Sequence, residues 1–451
     1  MNIWMPGQAI KVIRETDVVV AGGGPSGFAA AVAAARSGAR TMLIEKGAFP
    51  GGVGTAAMVA AFASGFHDGE RHIIGGIFGK MREALYRQGA LVKTDNFEPF
   101  DPEALSLYYI KALMEAGVEL RLHTWVADAA MKGDRLDAVI VQSKSGRQAI
   151  RADVFIDATG DADVAVQAGV GYEQGRPSDG LTQPVSMIFA LGGVDGDKVI
   201  RELDASPGAP FDGHTLGVNH TIIEGQRERV ARAKEQGYLA RVPRDNIGIC
   251  WSLPGRPDVM YANFTRIGKI DGTNAEDLTR AEIEGRMQVE EATAFFRDWM
   301  PGFENCFLLR TATHAGIRET RRIKGLYTLT EDDVLNLRQF DDVIAQAHYM
   351  IDIHDPLGHE TEITRLKKGT SYDIPYRALL QDKVSNLLVT GRCISSTHEA
   401  MASLRVMAIS MALGEAAGTA AALSFKRKVE PALLPVKLLQ GELLRHGAIL
   451  E

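Results

Sequence analysis

Cysteine is scarce in this chain of 451 residues: Cys250, Cys306 and Cys393 are the only three, and they lie far apart. With no C-x-x-C pair, a zinc ribbon, a thioredoxin-like dithiol and a cysteine-held iron–sulfur cluster are all unsupported. Positive charge is also short. Fifty Lys and Arg face 57 Asp and Glu, a formal net charge of −7, so neither nucleic acid nor an anionic membrane is expected as a partner. The opening residues, "MNIWMPGQAIKVIRETD", lack a basic start followed by a long apolar core, so no signal peptide is expected. Long apolar runs are confined to alanine-rich helices edged with charge. The default expectation is a soluble cytoplasmic protein. A composition of 45% hydrophobic and 24% charged residues is ordinary for a globular chain, and the length allows two or three domains.

Glycine is what the sequence has, and its most telling use is early. In "DVVVAGGGPSGFAAAVAAARSGARTMLIEK", Val18–Ala21 reads as a buried parallel strand. Gly22, Gly24 and Gly27 then form G-x-G-x-x-G, Phe28–Ser37 are strong helix formers, and Thr41–Glu45 reads as a second strand. Each glycine has a purpose: a tight turn, close approach of backbone to a pyrophosphate, and close helix–strand contact. The helix start offers free N–H groups and partial positive charge to phosphate. Glu45, at the end of the second strand, is placed to accept from ribose hydroxyls. The pattern predicts dinucleotide binding, with a plain strand–helix–strand turn as the alternative. Glu45 alone does not separate FAD from NAD. A second G-x-G-x-x-G, as a separate NAD(P)H domain needs, does not occur.

Further on, "FPGGVGTAAMVAAFASGF" (49–66) looks like backbone lying against a flat ligand, or a small-residue helix packed on a neighbour. Residues 76–89 and 102–116 have helical spacing of apolar residues. From Gly117, "VELRLHTWVADAAM", "RLDAVIVQSKSG" and "RQAIRADVFIDATG" predict a three-stranded antiparallel meander. Residues from about 180 to 375 mix strands with an amphipathic helix over about 278–299, a second, α+β style. Within them "HAGIRETRRIKG" gathers His314, Arg318, Arg321, Arg322 and Lys324, either a solvated face or a functional cluster. His348, His354 and His359 fit no compact metal-ligand spacing, so no metal is expected. A long helix is predicted over 400–425, its positive dipole end near Ala402–Arg405.

Five segments, "DVVVAGGGPSGFAAAVAAARSG", "FIDATGDADVA", "GIRETRRIKGLYTLT", "YDIPYRALL" and "NLLVTGRCISSTHEAMASLRVMAISMALGEAAGTAAA", resemble the bacterial FAD-dependent oxidoreductase family, within the wider glutathione-reductase-like and fumarate-reductase-like flavoprotein group. The resemblance runs from Asp17 to about Leu423. It implies an α/β fold: a Rossmann-like FAD-binding domain carrying the antiparallel meander, discontinuous over 14–175 and 376–430, with an α+β substrate or cap domain over 176–375 and a C-terminal extension over 431–451. Carried over by residue, it implies that Gly22, Gly24, Pro25, Ser26 and Gly27 surround the pyrophosphate, and that Glu45 and Lys46 meet the adenosine. Gly51, Gly52 and Thr55 would lie along the ribityl chain and ring, Val126 would meet adenine through its backbone, and Thr159, Gly160 and Asp161 would line the middle of the cofactor. Gly391 and Arg392 stand where many relatives have Gly-Asp, and an ionic contact of Arg392 with phosphate is expected. Leu404, Arg405 and Val406 would bring helix N–H groups to the pyrimidine edge of the flavin.

The chemistry this implies is hydride exchange between a small polar or anionic substrate and flavin N5. Removing hydride beside an O–H or N–H calls for a base, and a carboxylate or developing enolate calls for cations. His398 and His354 are the acid–base candidates, Arg318 and Arg322 the anion binders, and Tyr376 a further candidate. A structural imidazole, or ion pairs of the arginines with Glu319 or Asp333, is the alternative for each. FAD is expected to be non-covalent, with His67 or Cys393 as the groups that could otherwise attach it. An FAD-dependent monooxygenase or reductase with an external reductant, and an electron-transfer subunit, stay open. So do the electron acceptor and a homo-oligomeric state.

Overall fold

The computed structural model describes residues 9–94, 97–203, 222–358 and 361–451. Its centre is the strand Val12–Ala21, whose Val18, Val19 and Val20 are fully buried, as an apolar run covered on both faces should be. It pairs in parallel with Thr41–Ile44 on one side and Gly146–Asp157 on the other. Glu119–Arg121 extends the sheet beyond Thr41–Ile44, again in parallel. Beyond Gly146–Asp157, Arg135–Ser143 and Trp125–Lys132 add antiparallel strands, while Leu387–Val389 runs parallel beside the end of Gly146–Asp157. The seven strands thus join a Rossmann-like parallel core to a meander in one sheet.

Two sequence expectations are corrected here. "VELRLHTWVADAAM" is two strands. Glu119–Arg121 belongs to the parallel core, the chain turns through His123 at φ 51°, and the meander starts at Trp125. The turn is pinned because His123 and Thr124 donate their N–H groups to the Gly47 and Glu45 carbonyls, both at 3.0 Å. The second correction concerns the long helix, which is broken into His398–Leu404 and Met407–Arg427. Arg405 reaches sideways to the Asp352 carbonyl and carboxylate at 3.1 and 3.0 Å, and Val406 is extended, so a fresh helix N-terminus forms at Met407.

The helix Pro25–Arg36 crosses Met407–Arg427 at close range. A Cβ on Gly414 would lie 2.0 Å from the Ser26 carbonyl oxygen, and one on Gly418 would lie 2.1 Å from that of Ala30. Glycines one turn apart therefore fix the crossing, and with it the relation between the two helix starts. Met407–Arg427 is long and apolar enough to cross a membrane, yet 83% of its apolar window is buried within the protein.

A second, five-stranded antiparallel sheet runs in the order Ile222–Gly225, Ile247–Leu253, Arg256–Asn263, Phe189–Gly192 and Phe307–Thr311. The helix Ala275–Trp299 accompanies it. That helix begins earlier than its apolar pattern suggests because the Asn274 side chain accepts from the Glu276 and Asp277 N–H groups at 2.9 and 3.1 Å.

One buried group has a consequence for stability. Glu415, 4% exposed on Met407–Arg427, accepts the Ile77 N–H at 2.8 Å and so caps the helix Gly76–Arg87, whose own N-cap Gly75 has no side chain. Burial pushes its carboxyl up from 4.5 to about 7. The folded protein therefore holds this proton more tightly than the unfolded chain does. Its contribution is complete below the unfolded value and is lost as pH rises through about 7. Glu415→Gln is expected to remove this loss, on the order of 2 kcal/mol between pH 5 and 8. Urea unfolding of both proteins at the two pH values checks it; an unchanged slope with pH would refute the assignment.

Candidate active site

The site is built where four chain segments meet at the start of the helix Pro25–Arg36. Gly22 turns the chain with φ 98°, and a Cβ there would lie 2.5 Å from the Ala158 carbonyl oxygen. A Cβ on Gly27 would lie 1.8 Å from the Gly22 carbonyl oxygen, so helix and strand touch backbone to backbone. Gly24 differs: a Cβ on it would meet nothing within 4 Å. No side chain caps this helix and no acidic residue occupies its first turn, so its N–H groups face open space with their partial positive charge.

The other segments converge on the same turn. Gly51 donates its N–H to the Gly23 carbonyl at 2.7 Å, and a Cβ on Gly52 would come within 3.1 Å of Gly24 Cα. Thr55 is buried, with its hydroxyl on the Pro50 carbonyl at 3.2 Å. Ser26 Oγ lies 2.8 Å from Thr390 Oγ1, and Gly391 packs against the Ser26 side chain. Glu45 accepts from Gly23 and Gly47 N–H at 2.7 and 2.6 Å, which fixes its carboxylate and leaves lone pairs for further donors. Lys46 lies 4.9 Å from the centre of the Trp125 ring, next to Val126.

The loop after Gly146–Asp157 forms the far wall. Asp157, fully buried, accepts from Thr159 N–H and Oγ1 at 3.0 and 2.7 Å and from Ala165 N–H at 2.9 Å; burial nevertheless pushes its carboxyl up to about 6. Gly160, at φ 77°, lies under the Arg392 guanidinium. Arg392 pairs with Asp161 and donates to the Ile317 carbonyl at 3.1 Å. This differs from the phosphate contact expected for Arg392: the nearby carboxylate holds the guanidinium instead.

The candidate catalytic residues fall into separate environments. His398 Nδ1 lies 2.9 Å from Glu319 Oε1, while His398 Nε2 is buried without a partner. Glu319 also pairs with Arg322 and accepts the Gln183 N–H at 3.0 Å. Gln183 carries its side-chain oxygen to the His354 N–H at 3.3 Å, and its own Nε2 is a second buried donor without a partner. His354 lies between Arg266, 2.7 Å from Nδ1, and Asp352, 3.3 Å from Nε2. Because Arg266 can only donate, His354 Nδ1 accepts and Nε2 carries the hydrogen. Burial, outweighing Asp352, drives this imidazole down to about 3, so it is neutral and both its nitrogens are occupied. The acid–base role expected of His354 is replaced by a positioning one.

Arg318 donates to the Pro184 carbonyl at 2.7 Å and Ser186 Oγ at 2.9 Å. Arg322 is fully committed, to Glu319, the Ser396 carbonyl and the Gly175 carbonyl, which gives it the ion-pair alternative rather than an anion-binding role. Tyr376 donates to the Pro431 carbonyl at 3.0 Å in the core, which removes it from any substrate. The basic run does not form one patch either: Lys324 is exposed beside Glu173, and Arg321 pairs with Asp163. Leu404 is buried, and Arg405 and Val406 stand just ahead of the uncapped start of Met407–Arg427. Cys393 is buried with its thiol toward the Thr390 carbonyl, and His67 Nδ1 accepts the Gly69 N–H at 3.0 Å. His348 bonds the Thr370 carbonyl, and His359 lies outside the described residues.

Several residues at this centre escaped the sequence reading. Asp352 lies two residues before the candidate His354 on the strand Ile351–His354, a period-two signal that was legible. Glu319 was weighed only as an ion-pair partner. Gln183, Arg244 and Arg266 stand singly, with no local pattern to mark them.

These residues fit FAD. The uncapped helix start behind Gly24 suits a pyrophosphate, the fixed Glu45 carboxylate suits ribose hydroxyls, and the second uncapped helix start at Met407 suits the electron-rich edge of the ring. Among solved structures, the chain resembles a geranylgeranyl bacteriochlorophyll reductase-like protein of Thermoplasma acidophilum (12% identity, TM-score 0.46, covering 97% of this chain and 84% of that one). It also resembles the flavin-dependent brominase Bmp2 (14% identity, TM-score 0.46, 95% and 82%) and the anhydrotetracycline hydroxylase OxyS of Streptomyces rimosus (13% identity, TM-score 0.45, 97% and 66%). At this level the likeness bears on neither reaction nor substrate. No curated protein matches. The family model for FAD dependent oxidoreductases matches residues 17–443, nearly the whole chain: the protein belongs to the FAD dependent oxidoreductase family and is an enzyme that uses FAD.

Proposed function

We propose that this oxidoreductase is a dehydrogenase or oxidase that moves a hydride between a small anionic organic substrate and its flavin. Bound FAD would supply the ring that exchanges the hydride. The observation that carries the reading is the buried, unpartnered Nε2 of His398, oriented by Glu319 within a centre lined by guanidinium groups. Glu319 holds the hydrogen of His398 on Nδ1, leaving a lone pair on Nε2. That lone pair accepts the proton of a substrate O–H or N–H as the neighbouring carbon is oxidised. Gln183 Nε2 offers a donor to the same oxygen or nitrogen, and Arg318 holds an anionic group.

Anaerobic titration tests this. A small organic acid alone is expected to bleach the flavin, and His398→Asn is expected to slow that bleaching by about 10²–10⁴-fold. Bleaching only by NAD(P)H would instead support the monooxygenase or reductase alternative. Bleaching by neither, with a co-purifying protein, would support a role as an electron-transfer subunit.

A further inference from the structure

Buried arginines in this protein come in two kinds. Arg322 shows the structural kind, with a carboxylate and two carbonyls around it. Arg244 is the other kind. It is 7% exposed, and its one hydrogen bond goes to the neutral Asn246 side chain at 3.2 Å. Its Nε and Nη1 are buried without partners. The strand beside it makes way for this side chain: a Cβ on Gly248 would lie 2.7 Å from the Arg244 guanidinium carbon, so the guanidinium occupies the space over that glycine. Arg318, which repels it, likewise bonds only neutral groups.

Burial, with repulsion from Arg318, pushes Arg244 down to about 10; burial, with repulsion from Arg405 and Arg266, pushes Arg318 down to about 9. The acids around them do not answer this charge. Asp352 is taken by Arg405 and His354. Asp355 faces Arg176 at 3.9 Å. Glu224 is pushed up to about 7 by burial and ion-pairs with neither arginine, and the buried Cys250 thiol is pushed well above its usual value. Desolvated cations without an anion are costly. The place is also telling. Arg318 follows Ile317, whose carbonyl Arg392 holds, and Arg405 precedes the helix start at Met407. Arg318 thus stands beside the cofactor wall, and Arg244 beside the strands Ile247–Leu253 and Arg256–Asn263 of the five-stranded sheet.

We propose that Arg244 and Arg318 are the cationic walls of a substrate site that takes the two carboxylates of a small organic diacid. As a substrate site it rests on the hydride-transfer reading above. Two guanidinium groups left over among the described residues match two negative charges, and each presents donors in the planar geometry that suits a carboxylate.

The test follows thermal unfolding of the flavin-loaded enzyme with malonate, succinate or glutarate, against butyrate, sulfate and chloride at equal ionic strength. At least one diacid is expected to raise Tm saturably, with affinity about tenfold or more above butyrate and sulfate. Arg244→Gln is expected to weaken that effect by about tenfold or more while raising the Tm of the ligand-free enzyme, because it removes one of two repelling charges. Arg318→Gln should do the same and serves if the first variant does not fold. Equal effects of sulfate or butyrate, or an undiminished diacid effect in both variants, would overturn the site. The two readings fail separately. Bleaching by a neutral alcohol or amine with no diacid effect removes this site and keeps hydride transfer. Diacid binding with bleaching only by NAD(P)H keeps the anion site and removes hydride transfer from the diacid.

Discussion

Gly27→Ala is expected to give a destabilised protein without flavin, whereas Gly24→Ala is expected to give a stable protein that binds flavin poorly. The two glycines belong to one turn, but a methyl group meets different things at each. At Gly27 it would lie 1.8 Å from the Gly22 carbonyl oxygen, an atom of the main chain that no rotamer can move. Gly22 has no room to yield, since its own α-carbon faces the Ala158 backbone. The helix Pro25–Arg36 must then lift from the sheet and disturb its contacts with Gly414 and Gly418. Overpacking of this kind costs about 1–3 kcal/mol, and with backbone on both sides the upper end is expected. At Gly24 the methyl enters free space, so the Tm of the flavin-free protein should be unchanged. That space is where a pyrophosphate must approach the helix N–H groups. Loss of one or two charge-assisted hydrogen bonds corresponds to about a tenfold to hundredfold fall in affinity. Tm and bound flavin per protein separate the cases. Equal flavin content in wild type and Gly24→Ala would refute the phosphate placement.

The contrast also shows what the sequence made legible. Missing side chains at Gly22, Gly24 and Gly27 report a local geometry, and a strand, turn and helix within thirty-odd residues close on themselves, about the size of one such unit. The meander was legible because alternation and turn residues are local as well. The break at Arg405–Val406 was not. Nothing in "AMASLRVMAIS" opposes a helix, and only Asp352, brought alongside by folding, draws Arg405 out of line. The substrate end was less legible still. Arg244 and Arg318 are ordinary residues in their own segments, and their meaning comes from the anions that folding fails to bring them. Conversely, Arg322 looked equal to Arg318 in "GIRETRRIKG". The short strand Arg321–Ile323 turns Arg322 inward to Glu319, whereas Arg318, ahead of that strand, reaches the Pro184 carbonyl and Ser186 and meets no carboxylate among the described residues.

Glu319 is where structure and chemistry are hardest to separate, and substitution there is expected to have the largest effect on both. It is 1% exposed and serves Arg322, His398 Nδ1 and the Gln183 N–H together. Glu319→Ala leaves the Arg322 charge buried and unpaired, a loss of about 3–5 kcal/mol. Glu319→Gln keeps the shape but has one oxygen for donors that approach both carboxylate oxygens, so the amide group must face a donor on one side. Arg322 and His398 both approach Oε1, so the amide NH2 turns toward the Gln183 N–H; its neutral oxygen still accepts from His398 Nδ1 but no longer offsets the positive charge the imidazole gains as it takes the proton. Activity should then fall about 10²–10⁴-fold. A low rate alone would not distinguish a misfolded centre from the loss of the carboxylate charge beside His398. The double variant Glu319→Leu with Arg322→Met does, since exchanging a buried ion pair for apolar groups of similar size is often neutral. It is expected to recover most of the Tm lost in Glu319→Ala yet stay as slow as Glu319→Gln, with flavin still bound. Recovery of wild-type activity along with Tm would show that the carboxylate only holds the fold, and would remove His398 Nε2 as the proton acceptor.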